Sequence, residues 1–268
     1  MTRLISEAGR WKGALTCRPL PLHDPSIDLL SDVDRRHLAE VWLGRAASER
    51  RVADSFEAMG VALRALRADA ALVTLADRAV DDEHRHAEIS RVVASRFAGT
   101  ELAQPNLLAL RIPAHEGASD ELRHALHVVG HCTLNETTAG AFLETCIHHA
   151  TGPLASAALR ELLSDEVDHA RMGWTLLAAS SAEIRSGVGQ WIYPMARANL
   201  RMWRESPRPP SESPTMSAHG APPMSVIDEA LLAALRDLIV PGLRAVGIAT
   251  ERIDAWLARG ASTAPLEA

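Results

Sequence analysis

The chain has 268 residues and a net charge of −6, from 28 basic and 34 acidic side chains. A hydrophobic share of 47% and a charged share of 23% exclude a mostly disordered chain and allow one or two globular domains. The acidic balance and an aromatic share of 4% offer little to a phosphate backbone or to stacked bases, so nucleic-acid partners are not expected.

Residues 1–31, with Pro19, Pro21 and Pro25, read as an irregular strap. Its first part, Met1 to Leu20, has no apolar segment of signal-peptide length, and no run of about 18 apolar residues follows anywhere. A cytoplasmic protein with no membrane span is therefore expected. Cys17, Cys132 and Cys146 form no close pair, so no disulfide framework is expected either.

From Asp32 onward the pattern is helical. One helix is predicted from about Asp34 to Leu66 and a second from about Asp69 to Ala98, with a turn near Arg67 and Gly99 closing the second. Thr100 to Gly117, holding Pro105 and Pro113, is a long non-helical passage. A third helix is predicted from about Ser119 to Thr151, a turn at Gly152-Pro153, and a fourth from about Leu154 to Ser186 ended by Gly187. Period-2 runs of β-branched residues are lacking, so the fold class is all-α. Two tight helical hairpins joined by a long crossover between helices 2 and 3 make one of the four-helix-bundle topologies.

A fifth helix, Gln190 to Glu205, completes a unit spanning 32–205. Residues 206–223 are rich in proline and serine and read as a mobile linker or an extended strap. The segment 224–268 carries two amphipathic helices, broken at Pro241-Gly242. Leu231, Leu232, Leu235, Leu238 and Ile239 would pack on the bundle or on a second subunit, which leaves a homodimer open.

The chemistry concentrates in one repeated phrase. Asp82-Glu83-His84-Arg85-His86-Ala87 and Asp165-Glu166-Val167-Asp168-His169-Ala170 both read D-E-x-x-H-A. Glu and His three apart share a helical face and can converge on one metal ion. In carboxylate-bridged dinuclear bundles the other two helices each add a Glu. Helix height selects them: Glu83 lies 16 residues after Arg67 and Glu49 lies 18 before it, while Glu166 lies 14 after Gly152 and Glu136 lies 16 before it. Glu57 and Glu144 sit too near their turns. Facing agrees, because each of these four residues interrupts an otherwise apolar inward stripe, such as Trp42, Ala46, Glu49, Ala53 and Phe56. Four buried carboxylates need a counter-charge, and two divalent cations supply it.

The order Glu49, Glu83-x-x-His86, Glu136, Glu166-x-x-His169 resembles the ferritin-like di-iron carboxylate superfamily over about residues 34–186. The stretch Asp82 to His86 is similar to the D-E-x-R-H phrase of its oxygen-activating branch. The resemblance implies a ferritin-like bundle holding two iron ions, or a manganese–iron pair, with O2 as co-substrate. It implies an oxidase or oxygenase acting on a small organic substrate, supplied with electrons by a ferredoxin or reductase. Asp82 and Asp165 are candidates to hydrogen-bond the histidines, directly or across the helix pair; they can equally be solvated surface groups. Asp168 stands where the second phrase would need Arg. Gly140 either opens a pocket or lets helices pack closely. The other histidines, His131 among them, read as surface or core residues. Two alternatives share the ligands: a ferroxidase or iron-handling protein, and a tRNA-modifying hydroxylase resting on Arg197, Arg201, Arg204 and Arg208.

Overall fold

The computed structural model describes residues 19–106, 109–205 and 213–263, and every regular element among them is helical. Cys17, Arg208, the strap over 1–18 and the linker over 206–212 lie outside the described residues. In chain order the helices are α1 (Pro25–Asp28), α2 (Asp32–Ala65), α3 (Ala70–Ala98) and α4 (Asp120–Val128). A π-helical stretch (Val129–Glu136) leads directly into α5 (Thr137–His149). Then come α6 (Pro153–Ala179), α7 (Ala182–Glu205), α8 (Pro214–Ala218) and α9 (Met224–Ala233). A second π-helical stretch (Ala234–Ile239) runs into α10 (Val240–Ala245), and α11 (Glu251–Ala258) closes the order.

Local chemistry sets the starts and stops. Ser31, Asp69 and Ser119 each accept a backbone N–H of the first turn of α2, α3 and α4. Gly99 ends α3 in the left-handed region at φ 71°. α2 lies along α3 and touches α4; α3 and α5 both pack on α6, and the first π-helical stretch packs on α6 as well. Trp42, Val93, Phe97, Val129, Leu159 and Leu162 belong to one buried apolar cluster, and Phe56 and Leu63 to a second.

Two boundaries differ from expectation. The fourth long helix ends at Ala179, and the next begins at Ala182 rather than Gln190. Ser180 leaves the helical region (ψ 154°), and the Ser181 hydroxyl accepts the Ile184 N–H to start α7. Gly187 is no stop; it lies inside α7, where a Cβ would come within 2.9 Å of Leu122. Likewise Pro241-Gly242 does not break the C-terminal helix. The π-helical stretch widens the turn ahead of Pro241, so the missing N–H and the ring are accommodated, and the chain turns only after Ala245.

The described part of the Pro-rich segment runs as a packed strap. Trp42 Nε1 donates to the His219 carbonyl at 3.1 Å, Arg45 to that of Gly220, and Gly152 N to that of Ala218. Leu231, Leu235 and Ile239 are buried, while Leu238 is exposed, and the α9 segment packs on α5. No helix among the described residues is long and apolar enough to cross a membrane.

Candidate metal centre

The repeated phrase lies on α3 and α6, whose packing brings Asp82, Glu83 and His86 opposite Asp165, Glu166 and His169. Glu83, Glu136, Glu166 and His169 each offer a donor atom, and these atoms lie within 4.8 Å of one another. All four residues are buried. His86 joins them: its Nδ1 is 3.5 Å from Glu83 Oε2 and 3.7 Å from Glu166 Oε1. His169 Nδ1 lies 3.0 Å from Glu83 Oε1 and 3.3 Å from Glu166 Oε2. Glu49, on α2, is only half-buried and stands at the edge, lining the cavity that Glu136 and Glu166 also line.

Each histidine faces the aspartate of the opposite helix, but only His86 is hydrogen-bonded to it. His86 Nε2 is 3.0 Å from Asp165 Oδ2, and His169 Nε2 is 3.9 Å from Asp82 Oδ2. Burial raises both aspartates, but the histidines and Arg85 outweigh it and hold both below the usual carboxylate range. An ionised Asp165 only accepts, so Nε2 of His86 carries the proton and Nδ1 faces the carboxylates.

One arginine serves both aspartates. Arg85 is buried and pairs with Asp82 at 3.0 Å and with Asp165, and its other Nη lies 3.8 Å from Glu161. Arg78, half-exposed, caps the same pair from the rim at 3.3 and 3.7 Å. Asp168 plays no part in this; it pairs with Arg171 at the surface. The second phrase thus dispenses with its own arginine because the two helices are close enough to share Arg85.

The donor set fits hard first-row metal ions. It is carboxylate oxygen and imidazole nitrogen. The Cys132 thiol is pushed up by burial and directed to Met59 Sδ at 3.3 Å. Both Glu83 oxygens and Nδ1 of His86 lack a well-formed hydrogen bond despite full burial, although His169 Nδ1 stands close to Glu83. Orphaned polar atoms facing one point are costly unless a cation satisfies them. Without one, protons carry the balance. Burial, followed by the neighbouring carboxylates, raises Glu49 and Glu136 well above the carboxylate range. Burial would lower His86, yet Glu83 and Asp165 raise it to about 10.

His131 is the residue that reading the sequence missed. Its Nε2 lies 3.1 Å from Glu136 Oε1, and its ring packs edge-on to Phe56 at 4.7 Å. In an α-helix, residues five apart point about 140° away from each other at 100° per residue. The π-helical stretch bonds i to i+5 and stacks them instead. Burial, with His127 beside it, pushes His131 down to about 3, so it is a neutral imidazole.

A cavity of about 1140 Å³ opens from Glu49, Glu136 and Glu166. Ala139 lines it; Gly140 does not, and a Cβ there would meet only Leu163, at 4.0 Å. The close approach falls at Gly173, where a Cβ would come within 2.6 Å of Thr133 N. Of the arginines noted at the fifth helix, Arg204 is committed to Asp228 and to the Ala261 carbonyl. No family model, curated protein or solved structure matches the chain.

Proposed function

We infer that this is a ferritin-like protein whose Glu49, Glu83, His86, Glu136, Glu166 and His169 hold two iron ions, and that it oxidises a small organic molecule with O2. The observation that carries this reading is the buried Glu/His cluster, its two histidines faced by cross-helix aspartates, at the end of a large cavity. A reduced iron pair supplies the electrons that O2 chemistry needs, and a separate ferredoxin or reductase would restore them.

The chain's own residues set the conditions. Asp165 fixes the imidazole of His86 so that its Nδ1 faces inward, and Asp82 places a negative charge opposite His169 Nε2. Arg85 keeps the two aspartates ionised and in place. Asn135 donates Nδ2–H to Glu136 Oε1 at 3.1 Å, on the oxygen that His131 also approaches, so Glu136 is steered from the cavity side. A cavity of this size is suited to an organic substrate and unnecessary for iron alone, which favours oxidation chemistry over iron handling.

The test is anaerobic loading with Fe(II) followed by rapid mixing with O2. O2 uptake limited to the bound iron is expected, and it should vanish in Glu83→Ala. An inert loaded protein would overturn the reading. Repeated conversion of many Fe(II) per chain into ferric mineral would replace it with iron storage.

A further inference from the structure

Extended π-helical stretches are rare and concentrate at functional sites. The one at Val129–Glu136 changes the neighbour of Glu136. It stacks His131 there, Nε2 to Oε1 at 3.1 Å, with only 10% of the imidazole side chain exposed.

The contact is close, yet it is not a hydrogen bond. His131 Nε2 is buried and has no hydrogen-bond partner among the described residues. Glu136 Oε1 takes its hydrogen bond from Asn135 Nδ2 instead, at 3.1 Å. Trp203 Nε1 donates to Asn135 Oδ1, which sets that amide with its donor toward Glu136. The same condition marks Nδ1 of His86 and both oxygens of Glu83: they are buried, close to a carboxylate or an imidazole, and unpartnered. Two donors about 2.1 Å from one octahedral ion stand ~3 Å apart, with both lone pairs turned to the ion rather than to each other. Near approach without a hydrogen bond is therefore the arrangement of two ligands of one ion. Phe56 supports the ring, edge-on to His131 at 4.7 Å and tilted against His169 at 4.9 Å, so one aromatic side chain braces both imidazoles.

We propose that His131 is a metal ligand through Nε2, a seventh protein side chain beside the six named above, on the ion that Glu136 holds. This rests on the metal reading of the cluster and not on the oxidation chemistry. It makes the two ion positions unequal. His86 acts on the charge of Glu49 and His169 on that of Glu136, so His131 gives the Glu136 position two imidazoles against one. Imidazole suits iron and zinc, whereas carboxylate oxygen suits manganese. The Glu136 position is thus the tighter of the two for Fe(II) and Zn(II).

The experiment is NMR of the full-length protein, isotope-labelled at the histidine ring nitrogens, loaded with two equivalents of diamagnetic Zn(II) and desalted. A metal-bound ring nitrogen resonates apart from both protonated and free ones, and its couplings to the ring protons tell Nδ1 from Nε2. Three bound imidazoles are expected, His86 and His169 through Nδ1 and His131 through Nε2. In His131→Gln the Nε2-bound signal should be absent while the other two remain. One of the two Zn(II) binding steps should weaken by about tenfold or more, since even an outer partner of a ligand is worth that much. Bound signals through Nδ1 alone in the wild-type chain would overturn the proposal and leave the metal reading standing. An Nε2-bound signal that survives in His131→Gln would also overturn it, by assigning the ligand to another histidine. No bound imidazole at all would overturn the metal reading, and this proposal with it. The wild-type spectrum carries the test even where the variant fails to fold, because ligation through Nε2 is peculiar to His131 among the three.

Discussion

Asp165 on α6 reaches across the helix interface to His86 on α3, Oδ2 to Nε2 at 3.0 Å, and Asp82 faces His169 in the reverse direction at 3.9 Å. The repeated phrase is thus read crosswise: each helix supplies a Glu and a His to the cluster and an Asp to its neighbour's His. The difference in length makes the Asp165 arm the tighter of the two. Asp165→Asn keeps the shape and removes the charge, and should weaken metal binding by about 10–100-fold. Asp82→Asn should weaken it less. Competition titration with a chelator checks both, and equal affinity in wild type and Asp165→Asn would contradict the crosswise reading.

Arg85 neutralises both aspartates from inside the core. Arg85→Met would leave them with the half-exposed Arg78 and the histidines they face. A loss of about 3 kcal/mol in folding free energy is expected, the scale found when one partner of a buried ion pair is removed. Urea denaturation measures it; a loss below about 1 kcal/mol would mean that Arg85 acts as a surface pair does.

Gly173 is where α6 touches the π-helical stretch that carries Glu136. A methyl there would press on Thr133 N at 2.6 Å and on Cys132 Cβ at 2.8 Å, both parts of a buried backbone segment. Gly173→Ala should cost about 1–3 kcal/mol as overpacking, more than the helix propensity of alanine returns. Gly140→Ala, with open space around its Cβ, should be neutral or stabilising. Thermal melts of the two variants side by side test the contrast.

The protonation of the cluster sets a pH dependence with a definite sign. His86 is raised from 6.5 to about 10 in the fold, so its contribution to stability is complete below about 6.5 and is lost as pH rises toward 10. Glu49 and Glu136, raised by burial and neighbouring carboxylates, act in the same sense because the fold prefers them neutral. The metal-free protein should therefore lose melting temperature between about pH 6.5 and 10, and metal affinity should rise over the same range as protons are released. A melting temperature that stays level across that range would contradict this.

Much of this was legible in the residues themselves. The inward stripes through Trp42, Phe56, Val93, Phe97, Leu159 and Leu162 follow from 3.6-residue periodicity, and those residues are buried. The paired D-E-x-x-H phrases brought Glu83, Glu166, His86 and His169 to one level, and height within the hairpins singled out Glu136. Three things were hidden. A π-helical stretch leaves no periodic trace, so His131 could not be set beside Glu136. One arginine serving two aspartates depends on the distance between α3 and α6, which neither phrase encodes alone. The helix boundary at Ser180 and its absence at Pro241 were decided by a hydroxyl cap and a widened turn, overriding the usual weight of Gly187 and Pro241-Gly242.

The most direct test of the central claim is metal content per chain. The protein would be loaded anaerobically with Fe(II), desalted, and compared with the Glu83→Ala/Glu166→Ala double variant. The crosswise Glu/His cluster predicts about two irons per chain, as in dinuclear carboxylate bundles, and their loss in the variant. Iron near zero in the wild-type chain, or equal in both proteins, would contradict it.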